Sequence, residues 1–305
     1  MRTAFSDAIV AAAETDSRVL MLTGDHGYAL FDPFRKRCPA QYINCGIAEQ
    51  NMVGVAAGLA KAGFRPVVYG LAAFVPLRVL EQIKIDVCYE DLPVIFVGDG
   101  AGFVYSHLGT SHQSTEDIAC TRALPGLTVL SPSDRYEVTA AMQLAFESKG
   151  PVYLRLGKSD RGDVHTGPVS FAAGELLQVR SGSGRVAVLA TGSMVRTAVD
   201  IVDGGLVADV WSVPSIKPLD RGALEAICAE AESLIVMEEH SVHGGLGSVI
   251  AELVAGLSRP VRVCRIGVND RFSRYCGTYD YLLREHELDA ASVARRIAAF
   301  GVAAA

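Results

Sequence analysis

Positive charge is scarce in this 305-residue sequence, in which 28 lysines and arginines stand against 34 aspartates and glutamates for a net charge of −6. Because a nucleic-acid backbone is bound by a basic stripe, this composition argues against nucleic acid as a partner. No apolar run approaches the ~18 residues that a membrane helix needs. The N-terminal segment carries acids and lacks a cleavage signature. We therefore expect a cytoplasmic protein with no membrane partner.

The cysteine pattern excludes two further classes. The seven cysteines are an odd number and no two of them form a CxxC pair. Neither a zinc site nor a complete disulfide framework is indicated, and a reducing compartment fits best.

The composition that remains is typical of an α/β protein. Half of the residues are hydrophobic, 30 are glycine and only 7% are aromatic, as expected when helices pack closely on a sheet. Short β-branched runs alternate with helical patterns, which indicates parallel sheets with crossover helices. We predict strands at 19–24, 65–70, 92–98, 127–132 and 151–157 in one unit, and at 185–192, 206–213, 233–239 and 261–267 in another.

The chain therefore divides into two doubly wound domains. A polar, Gly- and Ser-rich stretch follows Gly157 and predicts a linker at 161–184. It separates a mostly parallel-sheet domain at 1–160 from a smaller α/β domain at 185–305. Pro214 and Pro218 are interpreted as loop residues.

One glutamate lies in an unusually apolar setting. The segment YINCGIAEQNMVGVAAGLAKAG (42–63) is predicted to run from a short strand through Gly46 into a helix of mostly small residues, with Glu49 in its first turn beside Ile47. A lone glutamate at this position usually serves only the helix dipole. A chemical role needs support from elsewhere in the chain.

A loop with two histidines is the second candidate. The segment FVYSHLGTSHQSTED (103–117) places His107 and His112 after a predicted strand, and open α/β sheets bind ligands at the carboxyl ends of their strands. A single loop histidine is usually a surface residue. Two histidines within six residues, beside glycines, make this loop a candidate binding or catalytic site.

Together these segments carry a specific resemblance. GIAEQNMVGVAAGLA, LEQIKIDVCYEDLPVIF, GTSHQSTEDIACTRALPGLTVLSPSD, GPVYLRLGK and EEHSVHGGLGS resemble the C-terminal half of transketolase, in the split form in which two subunits share the work. The resemblance covers nearly the whole chain. It implies a pyrimidine-binding domain followed by the transketolase C-terminal domain, and a thiamine diphosphate-dependent transferase of two-carbon ketol units.

The part that binds the diphosphate is missing. Gly98, Asp99 and Gly100 spell the start of the family's magnesium–diphosphate motif, but no asparagine lies between Asn51 and Asn269 to close it. We interpret this GDG as a turn. The resemblance then implies a partner subunit with the diphosphate-binding domain, which holds most of the Mg²⁺ site, in a heterotetramer of two plus two chains.

The resemblance also implies residue roles at the cofactor. Glu49 matches the glutamate that hydrogen-bonds the aminopyrimidine ring, and a carboxyl among apolar side chains suits the sharing of a proton. Phe74 matches an aromatic residue that stacks on that ring. Leu71 stands where a second phenylalanine is usual, and Ile47 is expected beside the cofactor too.

On the substrate side, His112 matches a histidine that moves protons during ligation, with His107 in the same loop. Leu108 replaces an aspartate that reads a sugar hydroxyl. Lys158 keeps a basic position of the phosphate site, with Arg155 nearby, but two other positions of that site fall at Gly100 and near Ala29. We therefore expect an uncommon substrate, as in specialised sugar or natural-product pathways.

Two other functions remain open. Among enzymes, the alternative is a ligase that takes its two-carbon unit from a decarboxylated 2-oxo acid, or the beta subunit of a 2-oxo acid dehydrogenase. Beta subunits share the architecture, but their motifs around the glutamate and the histidine differ from GIAEQ and SHQ. A non-catalytic scaffold or regulatory partner is the alternative from another class, against which the retention of Glu49 and His112 argues.

Overall fold

A computed structural model describes residues 1–158, 160–182 and 184–302 of the chain. Within these residues, no helix is both long enough and apolar enough to cross a membrane. Ser159 at the end of the predicted first domain, Ser183 in the predicted linker 161–184, and residues 303–305 lie outside the described residues.

Every predicted strand is present, including the short strand before Gly46, and two further strands occur. Where bounds were predicted, the ends shift by at most three residues. In the described part of the chain the strands are β1 (Val19–Thr23), β2 (Tyr42–Asn44), β3 (Arg65–Leu71), β4 (Ile95–Asp99), β5 (Thr128–Leu130), β6 (Val152–Leu156), β7 (Leu177–Arg180), β8 (Val186–Ala190), β9 (Asp209–Ser212), β10 (Ser215–Lys217), β11 (Ser233–Ser241) and β12 (Arg262–Val268).

The helices alternate with these strands, as crossover connections require. They are α1 (Arg2–Thr15), α2 (Asp32–Arg37), α3 (Glu49–Lys61), α4 (Leu80–Gln82), α5 (Asp117–Arg122), α6 (Arg135–Glu147), α7 (Met194–Asp203), α8 (Arg221–Glu230), α9 (Leu246–Val254), α10 (Tyr279–Glu285) and α11 (Ala290–Ala299), and α4 continues into a π-helix at Ile83–Cys88.

The first sheet has the order β10-β5-β6-β4-β3-β1-β2 among the described residues. All its neighbours pair in parallel except β10, which runs antiparallel to β5. Its strands β1, β4 and β6 are buried along their whole length, because helices cover both faces of such a sheet.

Pro214 and Pro218 lie outside strands, as expected, but the three residues between them form β10, which was not predicted. The strand is three residues long and proline follows it directly, so it carries no periodic signal, and proline is tolerated because β10 lies at the edge of the sheet. Through β10, a segment from beyond the predicted linker completes the first sheet.

The second sheet has the order β12-β11-β8-β9-β7 in the described residues. β7, at Leu177–Arg180, lies inside the segment 161–184 that was expected to be a linker, and it pairs antiparallel with β9. Its residues are only partly buried, so the apolar run that marks the inner strands is absent. The polar segment 161–184 therefore contains an edge strand as well as the connection between the two domains.

The two sheets share one hydrophobic core. Val68 and Phe96 of the first sheet and Leu189 and Leu234 of the second belong to a single buried cluster. A continuous apolar contact of this kind holds the two halves in one arrangement. The loops at the strand ends are therefore placed by both halves of the chain.

Candidate active site

Three loops at the carboxyl ends of neighbouring strands form the candidate site. The turn after β2 leads into α3 and Glu49, the loop after β3 carries Phe74, and the loop after β4 carries His107 and His112. In parallel sheets these ends lie on one edge, where ligands bind.

Glu49 is the first residue of α3 and is almost completely buried. Gly46, three residues earlier, has a φ of +71°, a left-handed conformation that glycine adopts without steric cost. This turn directs the chain from the short strand β2 into α3. The Glu49 carboxylate consequently lies at the positive end of the helix dipole and close to the sheet edge.

Phe74 lies at the centre of the site. The Arg78 guanidinium carbon is 4.2 Å from the centre of its ring, and the ring of His112 is edge-on to it at 5.4 Å. The ring of His26 approaches it at 6.1 Å. Glu49 joins this group through Arg78, whose Nη1 donates to Glu49 Oε2 at 3.1 Å.

Arg78 and His26 are site residues that the sequence reasoning missed. Arg78 lies one helical turn after Phe74, and His26 lies in the loop after β1, at the same sheet edge. Burial lowers the pKa of His26, because it disfavours the charged imidazolium. The position of His26 after a predicted strand was the available signal.

The contacts of the Arg78 guanidinium indicate whether Glu49 and Phe74 could accommodate an aminopyrimidine. It is a planar group whose N–H donors reach a buried carboxylate while its face lies on the Phe74 ring. An aminopyrimidine is also planar and would meet the same ring and the same acceptor. The side chain of Arg78 is 47% exposed. Water can therefore hydrate its guanidinium when the side chain moves away from Glu49. The pair Glu49 and Phe74 therefore fits this half of thiamine diphosphate.

Leu71 and Ile47, the other two residues expected at the cofactor, differ in exposure. Leu71 ends β3 and is buried, whereas Ile47 precedes α3 and is 76% exposed. Only Leu71 thus lies in the interior of this chain. Ile47 presents an exposed apolar side chain at the surface of the candidate site.

The histidine loop runs through two short 3-10 turns, Ser106–Leu108 and Thr110–His112. His107 is exposed and Leu108 is 54% exposed. His112 is half-buried, and its Nδ1 lies 2.9 Å from Ser111 Oγ. The structure thus brings His112, but not His107, against Phe74.

Lys158 and His107 line a separate cavity of about 400 Å³, together with Arg161 and Tyr279. The Lys158 Nζ is 3.1 Å from an oxygen of Asp160 and 5.4 Å from the centre of the Tyr279 ring. This cavity opens between the loop after β4 and helix α10. An anionic substrate group is the ligand that Lys158 would favour, in competition with Asp160.

Arg155 does not lie in this cavity, contrary to expectation. Its side chain is 2% exposed, its Nε donates to Asp117 Oδ2 at 2.8 Å, and its Nη2 donates to the Glu239 carbonyl at 2.8 Å. A guanidinium this deeply buried requires such partners. Because both faces of β6 are buried, a side chain on either face points into the interior. We therefore assign Arg155 a structural contact instead of substrate binding.

The carboxylate of the GDG turn contacts other side chains of the protein. Asp99 is buried, accepts a hydrogen bond from the Tyr105 hydroxyl at 2.8 Å and pairs with Arg2 at 3.3 Å. Gly100 follows with a φ of +78°, as a turn requires. No cluster of three His, Cys, Asp or Glu residues in the described ranges could hold a metal ion.

Comparison with known proteins accounts for this arrangement. Residues 1–162 match the transketolase pyrimidine binding domain and residues 174–293 the transketolase C-terminal domain. An apulose-4-phosphate transketolase subunit from Actinobacillus succinogenes is 35% identical over 265 residues, which are 86% of this chain and 85% of the relative. The 6-deoxy-6-sulfo-D-fructose transketolase subunit SqwH of Clostridium sp. is 34% identical over 300 residues, 97% of this chain and 92% of the relative.

A solved split-gene transketolase, described as an inactive beta4 tetramer, superposes with a TM-score of 0.87 and 33% identity, and the match covers 99% of this chain and 98% of that chain. Both the sequence and the fold thus match proteins in which transketolase is divided between two polypeptides. The chain belongs to the transketolase family, as the C-terminal subunit of a split transketolase.

Proposed function

We propose that this subunit supplies the pyrimidine-binding half of a thiamine diphosphate site and the substrate histidine for ketol transfer to an aldehyde. The observation that carries the proposal is the grouping of Glu49, Phe74 and His112 around one sheet edge, where the rings of Phe74 and His112 are 5.4 Å apart. When bound, the cofactor supplies the carbon nucleophile that cleaves and forms the carbon–carbon bond.

Glu49 holds and shares a proton at the aminopyrimidine ring. Its carboxyl is 8% exposed, so water competes little for a hydrogen bond to a ring nitrogen. Arg78 must turn away from Glu49 Oε2 for this bond to form. Phe74 then offers its face, and Leu71 and Ile47 offer apolar contacts, one from the interior and one from the surface.

His112 is placed to move protons at the substrate. Its ring stands edge-on to Phe74, and Ser111 Oγ at 2.9 Å from Nδ1 fixes the ring orientation. This leaves Nε2 to donate to or accept from substrate oxygens. His107 and Lys158 lie farther out and would contact the end of a longer or anionic substrate.

The other half of the site belongs to a partner subunit in this proposal. The partner carries the diphosphate-binding domain and most of the Mg²⁺ ligands, and two copies of each chain form the complex. Exposed apolar and small residues on this chain support the proposal, since Ile47 and Val55 are exposed and nothing lies within 4 Å of a Cβ built at Gly54 or Gly58. We place the complex in the cytoplasm, which agrees with seven free cysteines.

The donor should be a ketose or hydroxypyruvate, which already carries a ketol unit. With the partner present, we expect ketol transfer from these donors and none from pyruvate. The relatives named above are transketolase subunits for apulose-4-phosphate and sulfofructose, which supports a role in specialised sugar metabolism. Product analysis by mass spectrometry checks this, and ligation from pyruvate alone would contradict the transketolase assignment.

Leu108 is expected to select the acceptor. An aspartate there accepts a hydrogen bond from a substrate hydroxyl, and leucine cannot. Each methylene buried against leucine contributes roughly 0.8 kcal/mol instead. We therefore propose an acceptor that is deoxy, alkyl or otherwise apolar at the facing carbon.

The substitution Leu108→Asp should shift preference toward the hydroxylated acceptor by about 1 to 3 kcal/mol, or roughly 5- to 150-fold. The measurement is the ratio of kcat/KM for a hydroxylated aldehyde and its deoxy analogue in the complete complex. Leu108→Asn is the matched variant, since it adds polarity without charge. A ratio that stays constant, or moves toward the deoxy compound, would show that Leu108 does not face the substrate.

A further inference from the structure

Glu239 is a buried carboxylate of the C-terminal domain that makes contact with the substrate loop of the other domain. The residue lies near the end of β11 and is 1% exposed. Its Oε1 accepts a hydrogen bond from the backbone N–H of Phe103 at 2.6 Å. Its Oε2 accepts hydrogen bonds from the hydroxyls of Ser193 and Tyr279. Three donors from three segments thus converge on one carboxylate.

Gly102 allows the loop to approach this closely. A Cβ at this position would lie 2.2 Å from Glu239 Oε1, and the φ of Gly102 is +68°. Both the close approach and the left-handed backbone require glycine. The contact with Glu239 therefore fixes the position of the start of this loop.

The next two residues of β11 form hydrogen bonds with the segment that follows this loop. The backbone N–H of Ser241 donates to the Thr115 carbonyl at 2.6 Å, and His240 Nε2 accepts from the Ala119 N–H at 3.2 Å. The His240 Nδ1 lies 2.8 Å from the Ser241 carbonyl. Burial lowers the pKa of His240 to about 4, which keeps Nε2 free to accept.

Two side-chain contacts also join the loop to the C-terminal domain. Ser273 Oγ donates to Gln113 Oε1 at 2.9 Å, and the ring of Phe103 stacks on that of His286 at 4.7 Å. Each partner in the C-terminal domain thus lies at one end of the loop. The exposed residues His107 and Leu108 lie between these ends.

We propose that Glu239 is a positioning residue, which fixes the start of the loop 103–113 from the C-terminal domain and thereby places His112 and Leu108 at the substrate. The residue itself contacts neither substrate nor cofactor. The kinetic part of this proposal rests on the proposed function, whereas the anchoring of the loop does not.

Glu238 provides a matched control on the same strand. It is equally buried, but its carboxylate accepts from the N–H groups of Leu246 and Gly247 at 2.7 and 2.8 Å, both inside the C-terminal domain. Its Oε2 also lies 3.6 Å from Nδ1 of His240, which accepts from Ala119, beyond residues 103–113. Loss of Glu238 therefore removes a buried carboxylate from β11 without removing a hydrogen bond to residues 103–113. A general loss of stability would appear in both variants.

The test compares Glu239→Ala, Glu238→Ala and the milder Tyr279→Phe, each in complex with the partner subunit. Hydrogen exchange of amides 103–113 should become faster in Glu239→Ala and, to a smaller extent, in Tyr279→Phe, but not in Glu238→Ala. The kcat/KM for the acceptor should fall by about 10- to 100-fold in Glu239→Ala, because small displacements of a positioned group are costly. Thiamine diphosphate affinity should hold, since Glu49 and Phe74 lie on other loops.

Two results would overturn the proposal. Equal exchange rates at 103–113 in Glu239→Ala and Glu238→Ala would show that Glu239 does not anchor the loop. Faster exchange with unchanged acceptor kinetics would show that the anchoring does not serve the reaction. If the wild-type complex transfers no ketol unit, the proposed function fails by itself, and the exchange comparison still supports or overturns the anchoring. Should Glu239→Ala not fold, the exchange rates of amides 103–113 in Tyr279→Phe and Glu238→Ala decide whether Glu239 anchors the loop.

Discussion

Replacing Glu49 by glutamine is expected to lower kcat by about 100-fold or more while the complex still assembles, because the amide keeps the shape of the side chain but cannot share a proton. The residue begins α3, is 7% exposed and lies within reach of Arg78. A steady-state assay of ketol transfer with the partner subunit gives kcat. Thermal unfolding and gel filtration establish that fold and assembly are intact.

Glu81→Gln is the control for this substitution. Glu81 lies in the nearby helix α4, is exposed and pairs only with its neighbour Gln82 among the described side chains. The same chemical change there should leave kcat within about twofold, in line with the small effects of surface substitutions. A Glu49→Gln complex that retains most of its activity would remove Glu49 from the proposed mechanism.

The second large effect concerns the subunit without its partner. We expect the isolated chain to bind thiamine diphosphate and Mg²⁺ at least 100-fold more weakly than the complex, equivalent to about 2.7 kcal/mol or more. The carboxylate of the GDG turn already contacts Arg2 and Tyr105 through Oδ2, so a metal there would compete with both of these contacts.

Calorimetry with the cofactor, with and without Mg²⁺, measures this difference for the chain alone and for the complex. The Glu49→Gln complex serves as a control, because it removes only the pyrimidine contact and leaves the proposed diphosphate site intact. Tight binding to the isolated chain that depends on Mg²⁺ would contradict the division of the site between two subunits.

Local sequence patterns were sufficient for much of the fold. The inner strands are continuous β-branched runs because both faces are buried, and such runs are recognisable without any tertiary information. The edge strands β7 and β10 were missed because an edge strand is short and half-exposed, so it lacks that signal. Their pairing depends on strands that lie far away in sequence.

The candidate site divides in the same way. Glu49, Phe74 and His112 were predicted from motifs, and the structure places them at one sheet edge. The position of a side chain relative to the core is not a local property, however. Arg155 was expected at the substrate, but its place on β6 directs it to Asp117 in the interior.

By itself, the sequence determined the α/β class, the family and the residues that match its motifs, because these depend on residue type and on spacing along the chain. Only the tertiary structure decided which residues meet across the chain: Arg78 and His26 at Phe74, and Glu239 at Phe103. Glu239 and Phe103 are 136 residues apart. Their contact exists because the packing of the two sheets brings the end of β11 to the loop after β4.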